Sequence, residues 1–155
     1  MNNMIQGFDQ ALRVQSKIIF VIVRNLKGLT QVVVTAENPE FETAKNLTLE
    51  SVIRATGEMK DAPQAPGGIE MHPTKIEVLS KAEPELPIPV VVKGGEETEL
   101  PIRLDYRWLD LRKPEKVKIF KVWTEFEKGW RKYWDENNFI QLYPPALMST
   151  PSESG

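Results

Sequence analysis

The sequence predicts an all-β barrel followed by a hinge and an α+β segment, and three observations carry that expectation. Short runs rich in Val, Ile and Thr recur through residues 1–80, separated by clusters of Gly, Pro and Asn. Residues 81–114 begin as a stretch dense in proline, glutamate and glycine and end in interleaved charges and leucines. Beyond Pro114 the apolar residues recur at steps of three and four, the spacing of a long helix.

Each element has its own signal. Lys17 to Val23 is a β-branched run, Asn25-Leu-Lys-Gly28 supplies turn chemistry, and Leu29 to Thr35 is a second run, so the three form a hairpin. Asn38, before Pro39, caps a short helix or turn that ends near Asn46. Leu47 to Met59 is a strand in which Gly57 marks a bulge or tight bend. Ala62 to Gly68 is a loop, and Ile69 to Ser80 is a last strand that His72-Pro73 assigns to an edge or a bulge. Several short strands with one small helical insertion fit a small barrel, and the OB-fold is a common barrel of this size. The prolines of the next stretch, from Pro84 to Pro101, keep it extended and fairly stiff. Pro114 suits the first turn of a helix that runs to Glu136, with Asn137-Asn138 as its stop. Phe139 to Tyr143 reads as a strand closed by Pro144-Pro145.

Composition removes several classes of function. The chain has no cysteine and a single histidine, which excludes disulfides and thiolate metal sites and leaves zinc chemistry without ligands. No apolar run approaches the ~20 residues that span a bilayer, and Met1-Asn-Asn-Met lacks the basic and apolar regions of a signal peptide, so the cytoplasm is the expected compartment. Lys and Arg number 20 against 22 Asp and Glu, a net charge of -2, so contact with a nucleic acid has to be local.

Arg103-Leu-Asp-Tyr-Arg-Trp-Leu-Asp-Leu-Arg112 interleaves both signs of charge with Leu104, Trp108, Leu109 and Leu111, the pattern of a packed, ion-paired junction. It resembles the hinge signature of class IIb aminoacyl-tRNA synthetases, the aspartyl enzymes above all. The helix that follows, with Asn138-Phe-Ile-Gln-Leu-Tyr-Pro-Pro145, is similar to motif 1 of class II synthetases, with Pro145 on the motif's proline. Upstream, residues from about Ala11 to Ser80 resemble the anticodon-binding domain of the aspartyl enzymes, a five-stranded Greek-key OB-fold. Ile5 to Ala11 resembles the middle of its first strand, where Asp9 is an unexpected charge. The resemblance divides the chain into an OB-fold at 1–80, a linker and hinge at 81–114 and the start of a catalytic domain at 115–155.

The resemblance also assigns site residues. Phe20, Gln31 and Glu70 fall on positions with which the family reads the anticodon, and the chemistry is reasonable by itself. A splayed base stacks on an aromatic ring, while amide and carboxylate groups read its edge. An odd-sum register of the hairpin would put Phe20 and Gln31 on one face. Phe20 also has a reading as a core residue, and Gln31 and Glu70 as solvated strand positions. Arg13, Lys17, Arg24 and Lys27 are candidates for phosphate contacts, or solvated charges flanking a hairpin. His72 is assigned a structural place before Pro73. Glu153 falls where the family has a glutamate that contacts the substrate ammonium, with Ser154 departing from the usual glycine. Trp123, Phe126 and Trp130 form an aromatic helix face that with Pro145 is expected at a dimer interface, the alternative being that the helix lies against its own barrel.

What the resemblance implies is the anticodon-reading part of a tRNA ligase that activates aspartate with ATP and Mg²⁺ and acts as a homodimer. Motifs 2 and 3, which hold ATP and the metal, would lie beyond Gly155, so these 155 residues are expected to bind no cofactor and to be inactive in adenylation. Asparaginyl and lysyl enzymes are the alternatives within the family. A free-standing OB-fold RNA-binding module is the alternative outside it.

Overall fold

The computed structural model describes residues 3–91, 94 and 97–145. Five strands close into a barrel: β1 (Asn3–Val14), β2 (Ile18–Asn25), β3 (Gly28–Thr35), β4 (Val52–Asp61) and β5 (Ile69–Ser80), in the order β1-β2-β3-β5-β4 with β4 returning to β1. All pairings are antiparallel except β3 with β5, which are parallel over Gln31↔Glu70 and Val32↔Met71. Helix α1 (Phe41–Lys45) lies between β3 and β4. Closure leaves neither edge of the sheet unpaired, which is how an antiparallel fold of this size avoids exposing a strand edge.

Alternation along the strands builds the core. Ile19, Val21 and Val23 on β2, Val32 and Val34 on β3, Ile53 and Ala55 on β4 and Met71 and Ile76 on β5 are buried together, and Ala44 and Leu47 close the cluster near α1. Gly57 and Pro73 account for one corner. They face each other at a slip in the β4–β5 register, and a methyl group on Gly57 would overlap the carbonyl oxygen of His72. The bulge expected at Gly57 and at His72-Pro73 is therefore a single feature, in which a residue without a side chain admits the neighbouring backbone.

Three expectations are corrected. The strand read from Leu47 begins only at Val52, because Leu47–Ser51 form a turn in which Ser51 N–H donates to Thr48 O (3.1 Å) and Glu50 takes φ 66°. Asn38 does not cap α1 through its side chain. Its Oδ1 accepts from the Glu40 N–H at 2.9 Å, two residues on, and its Nδ2 donates to Pro73 O at 2.6 Å. Phe139 to Tyr143 forms no strand, since a strand is a property of a pair and no other backbone runs beside this segment among the described residues.

Beyond the barrel, α2 (Leu100–Asp105) and α3 (Arg107–Asp110) form the hinge, and α4 (Pro114–Glu136) follows with Pro114 in its first turn and Asn137 as its C-cap. The proline-rich stretch is tied down where it leaves the barrel and again at Ile88 and Val90. The Thr48 hydroxyl donates to Ala82 O (2.6 Å) and the Ala82 N–H donates to Ser51 Oγ (3.1 Å), while Ile88 and Val90 are buried with Leu109 of α3. The hinge is packed through Leu109, whereas Leu104 and Trp108 are exposed.

The ion pairs expected at the junction are present. Asp110 and Lys113, both buried, lie 2.8 Å apart, and Arg103 stands 3.8 Å from the same carboxylate. Burial opposes ionisation of Asp110, but the Lys113 ammonium with the charges of Lys116 and Arg103 outweighs it and holds the carboxyl below its ordinary range. Glu50 joins barrel to hinge: one carboxylate oxygen accepts from Arg24 of β2 (2.8 Å) and from Arg112 (2.9 Å), and Arg112 lies over the rings of Phe8 and Trp108.

Candidate nucleic-acid interface

Register places the expected side chains. Phe20 pairs with Val33 and Ile22 with Gln31 across β2 and β3, the odd-sum register that puts Phe20 and Gln31 on the same face. Arg13 of β1 pairs with Phe20, and Glu70 of β5 pairs with Gln31. Four strands thereby bring Arg13, Phe20, Gln31 and Glu70 to one patch of the outer wall. These four, with Gln15 and the loop Ala62–Ala65, line a cavity of about 490 Å³.

The chemistry of the cavity is mixed in a useful way. Phe20 is half-buried and offers a ring face. Gln31 Nε2 donates to Glu70 Oε2 at 3.2 Å, so amide and carboxylate are held side by side, and Glu70 Oε1 lies 2.8 Å from His72 Nε2. Arg13 is exposed at the rim and carries the cationic charge of the patch. A ring for stacking, polar groups for a base edge and a cation for a phosphate are the parts that single-stranded RNA recognition uses.

The other basic candidates are placed differently. Lys17, in the β1–β2 connection, and Lys27, in the β2–β3 turn, are exposed and lie outside the cavity lining. Arg24 points elsewhere: its side chain is 15% exposed and its guanidinium is engaged by Glu50 and by Gln10 at 3.2 Å. An arginine already neutralised by a buried carboxylate is a poor phosphate ligand, so its place is in the junction. The sequence assigns His72 a structural place before Pro73, although its position two residues after Glu70 puts both on the same face of one strand.

Asp9 is fully buried on the inner side of β1, with no side-chain partner for its carboxylate and only the Ala11 backbone N–H acting to favour its charged form. Burial and the nearby charge of Glu50 push its pKa up from 3.8 to about 7.

The aromatic face of α4 is open. Trp123, Phe126 and Trp130 are 68%, 70% and 55% exposed, and α4 buries no residue. The helix does not lie against the barrel, which removes that alternative. Trp134 meets Phe139 edge-on at 4.4 Å, and a second cavity of about 460 Å³ opens between the end of α4 and residues 139–141. Pro145 is exposed, and Glu153 lies outside the described residues.

Comparison with known proteins bears on this arrangement. Residues 4–79 match the family described as OB-fold nucleic acid binding domain, and residues 99–155 match tRNA synthetases class II (D, K and N). Aspartate–tRNA(Asp/Asn) ligases from Archaeoglobus fulgidus and Aeropyrum pernix are 34% and 36% identical over 152 residues. The matches take in 96% of this chain but only 35% and 34% of those relatives, so the chain spans about a third of their length. Among solved structures, the asparaginyl-tRNA synthetase from Pyrococcus horikoshii complexed with asparaginyl-adenylate superposes with a TM-score of 0.83 at 30% identity, covering 96% of this chain and 34% of that one. The aspartyl tRNA synthetase from Entamoeba histolytica, at 23% identity and a TM-score of 0.81 over 96% of this chain and 37% of that one, supports the fold alone. The OB-fold barrel, the hinge and the long helix follow one another in the order of the two matches, and over 96% of its length the chain is similar to class II tRNA synthetases of the D, K and N group.

Proposed function

We propose that these residues are the anticodon-reading part of an aspartate–tRNA ligase, with a boundary between barrel and linker near residue 80 and the catalytic domain beginning after the hinge. The observation that carries this reading is the convergence of Arg13, Phe20, Gln31 and Glu70 on one cavity of the barrel wall. In it a splayed base stacks on Phe20, its edge is read by the Gln31 amide and the Glu70 carboxylate, and Arg13 meets the adjoining phosphate, with Lys17 and Lys27 adding longer-range attraction.

Aspartate activation with ATP and Mg²⁺, followed by transfer to tRNA in the cytoplasm, is proposed for the whole protein. The 155 residues are proposed to bind RNA without adenylating an amino acid. Glu153 is proposed to meet the ammonium of the amino acid. The aromatic face of α4, with Pro145, is proposed to be covered in a homodimer.

The likeness to the Pyrococcus horikoshii enzyme favours one second reading, an asparagine–tRNA ligase. A titration addresses both. An RNA hairpin bearing the aspartate anticodon GUC is expected to bind at least as tightly as one bearing GUU, the reverse order favouring the asparagine enzyme. Phe20→Ala should weaken binding by about 1–3 kcal/mol, the loss of one stacking partner, and Gln31→Ala should weaken it as well. Unchanged binding by both folded variants contradicts the proposed face.

A further inference from the structure

Glu70 is the one carboxylate among the described residues that line the cavity, and both of its oxygens are engaged by protein donors. Oε2 accepts from Gln31 Nε2 at 3.2 Å and Oε1 meets His72 Nε2 at 2.8 Å. An ionised carboxylate has no proton to give, so the hydrogen of the second bond sits on His72 Nε2. Each oxygen keeps a free lone pair, and the two donors fix the direction in which those lone pairs point.

The histidine itself is held. The Gly57 backbone closes on its carbonyl at the bulge, and the next carbonyl, that of Pro73, accepts from Asn38 Nδ2 at 2.6 Å. Across the sheet, Lys60 pairs in register with Glu70 and Glu58 with His72, yet neither forms an ion pair with them. Orientation of Glu70 therefore comes from Gln31 on one side and His72 on the other.

We infer that His72 is a positioning residue for base selection: its Nε2–H locks the Glu70 carboxylate in the orientation that accepts from the N–H edge of the bound base. This rests on the reading of the cavity as the RNA-binding face. The imidazole acts through Glu70 and leaves stacking on Phe20 untouched. Its loss therefore appears in discrimination between bases more than in overall affinity. A carboxylate freed to turn spends less time aligned with the correct base and gains contacts with incorrect ones.

The test is a set of titrations with the full chain, using an RNA hairpin with the GUC anticodon and hairpins with each anticodon base changed in turn. His72→Leu should reduce the ratio of dissociation constants at one anticodon position by about tenfold, the value of one hydrogen bond to a charged group. His72→Gln, whose amide Nε2 reaches the same point, should restore that ratio. If His72→Leu does not fold, His72→Thr, too short to reach Glu70, replaces it. A ratio unchanged in His72→Leu overturns the inference, and so does a loss that His72→Gln fails to restore. Phe20→Ala separates the two levels of the argument. If it leaves every hairpin unaffected, the functional reading falls along with the inference. If it weakens all of them while the ratio in His72→Leu stays at the wild-type value, only the role of His72 falls.

Discussion

Asp9 is a carboxyl without a side-chain partner in the core of a barrel, and its cost depends on pH. Its pKa of about 7 in the folded chain stands above the ordinary 3.8, so between those values the folded state holds a proton that the unfolded state has lost. Stability contributed by this group is therefore greatest at the acid end of that window and falls as pH rises, by up to about 1.4 kcal/mol per unit. Asp110, Glu77 and Glu97, held below their ordinary range, act in a separate and more acidic window, where falling pH removes their contribution. Urea unfolding between about pH 5 and pH 7 should show declining stability for the native chain and a flatter profile for Asp9→Asn. Equal slopes for the two would mean that Asp9 is not protonated on folding. At this scale the sequence was partly legible. Asp9 stood out as a charge inside an apolar strand, and Phe20, Gln31 and Glu70 could be named, but the engagement of Arg24 by Glu50 joins residues 26 apart along the chain, which a pattern of neighbours does not reveal.

Elements were legible wherever local chemistry and pairing agree. The β2–β3 hairpin follows from two β-branched runs around Asn25-Leu-Lys-Gly28, and α4 follows from its period, its proline and its asparagine stop. The start of β4 was not legible, because Thr48 and Ser51 fit an extended strand as well as the turn that their hydroxyls close at 2.8 Å. Residues 139–143 have strand chemistry and lack a partner backbone among the described residues. Gly57 shows an element depending on one position. Gly57→Ala sets a methyl group against the His72 carbonyl and should cost about 1–3 kcal/mol in denaturant unfolding, with greater loss if the bulge cannot widen. Tolerance of that substitution would mean that the β4–β5 corner yields easily. For α4, an exposed aromatic face of this extent predicts self-association. Sedimentation of the chain should shift with concentration, and Trp123→Glu with Trp130→Glu should abolish the shift. A native chain that sediments as a monomer at every concentration would contradict the proposed homodimer face.

For the whole molecule, the barrel and the hinge are joined by a carboxylate that both sides share. Glu50 sits at φ 66° in the turn before β4, buried, with arginines from the barrel and from the hinge on one oxygen. The barrel wall proposed to read RNA and the hinge that leads into α4 are thus held by the same few side chains, which would keep a bound RNA at a set distance from α4. The sequence conveyed the order of the parts and the ion-paired character of the junction, while the identity of Glu50 as its centre needed the fold. The central claim concerns the barrel wall, and photocrosslinking tests it directly. An RNA hairpin carrying 4-thiouridine as the middle base of a GUC anticodon, irradiated in complex with the chain, should form adducts at Phe20 and its neighbours on β2 and β3, and Phe20→Ala should remove most of them. Adducts confined to α4 or to the hinge would contradict the account.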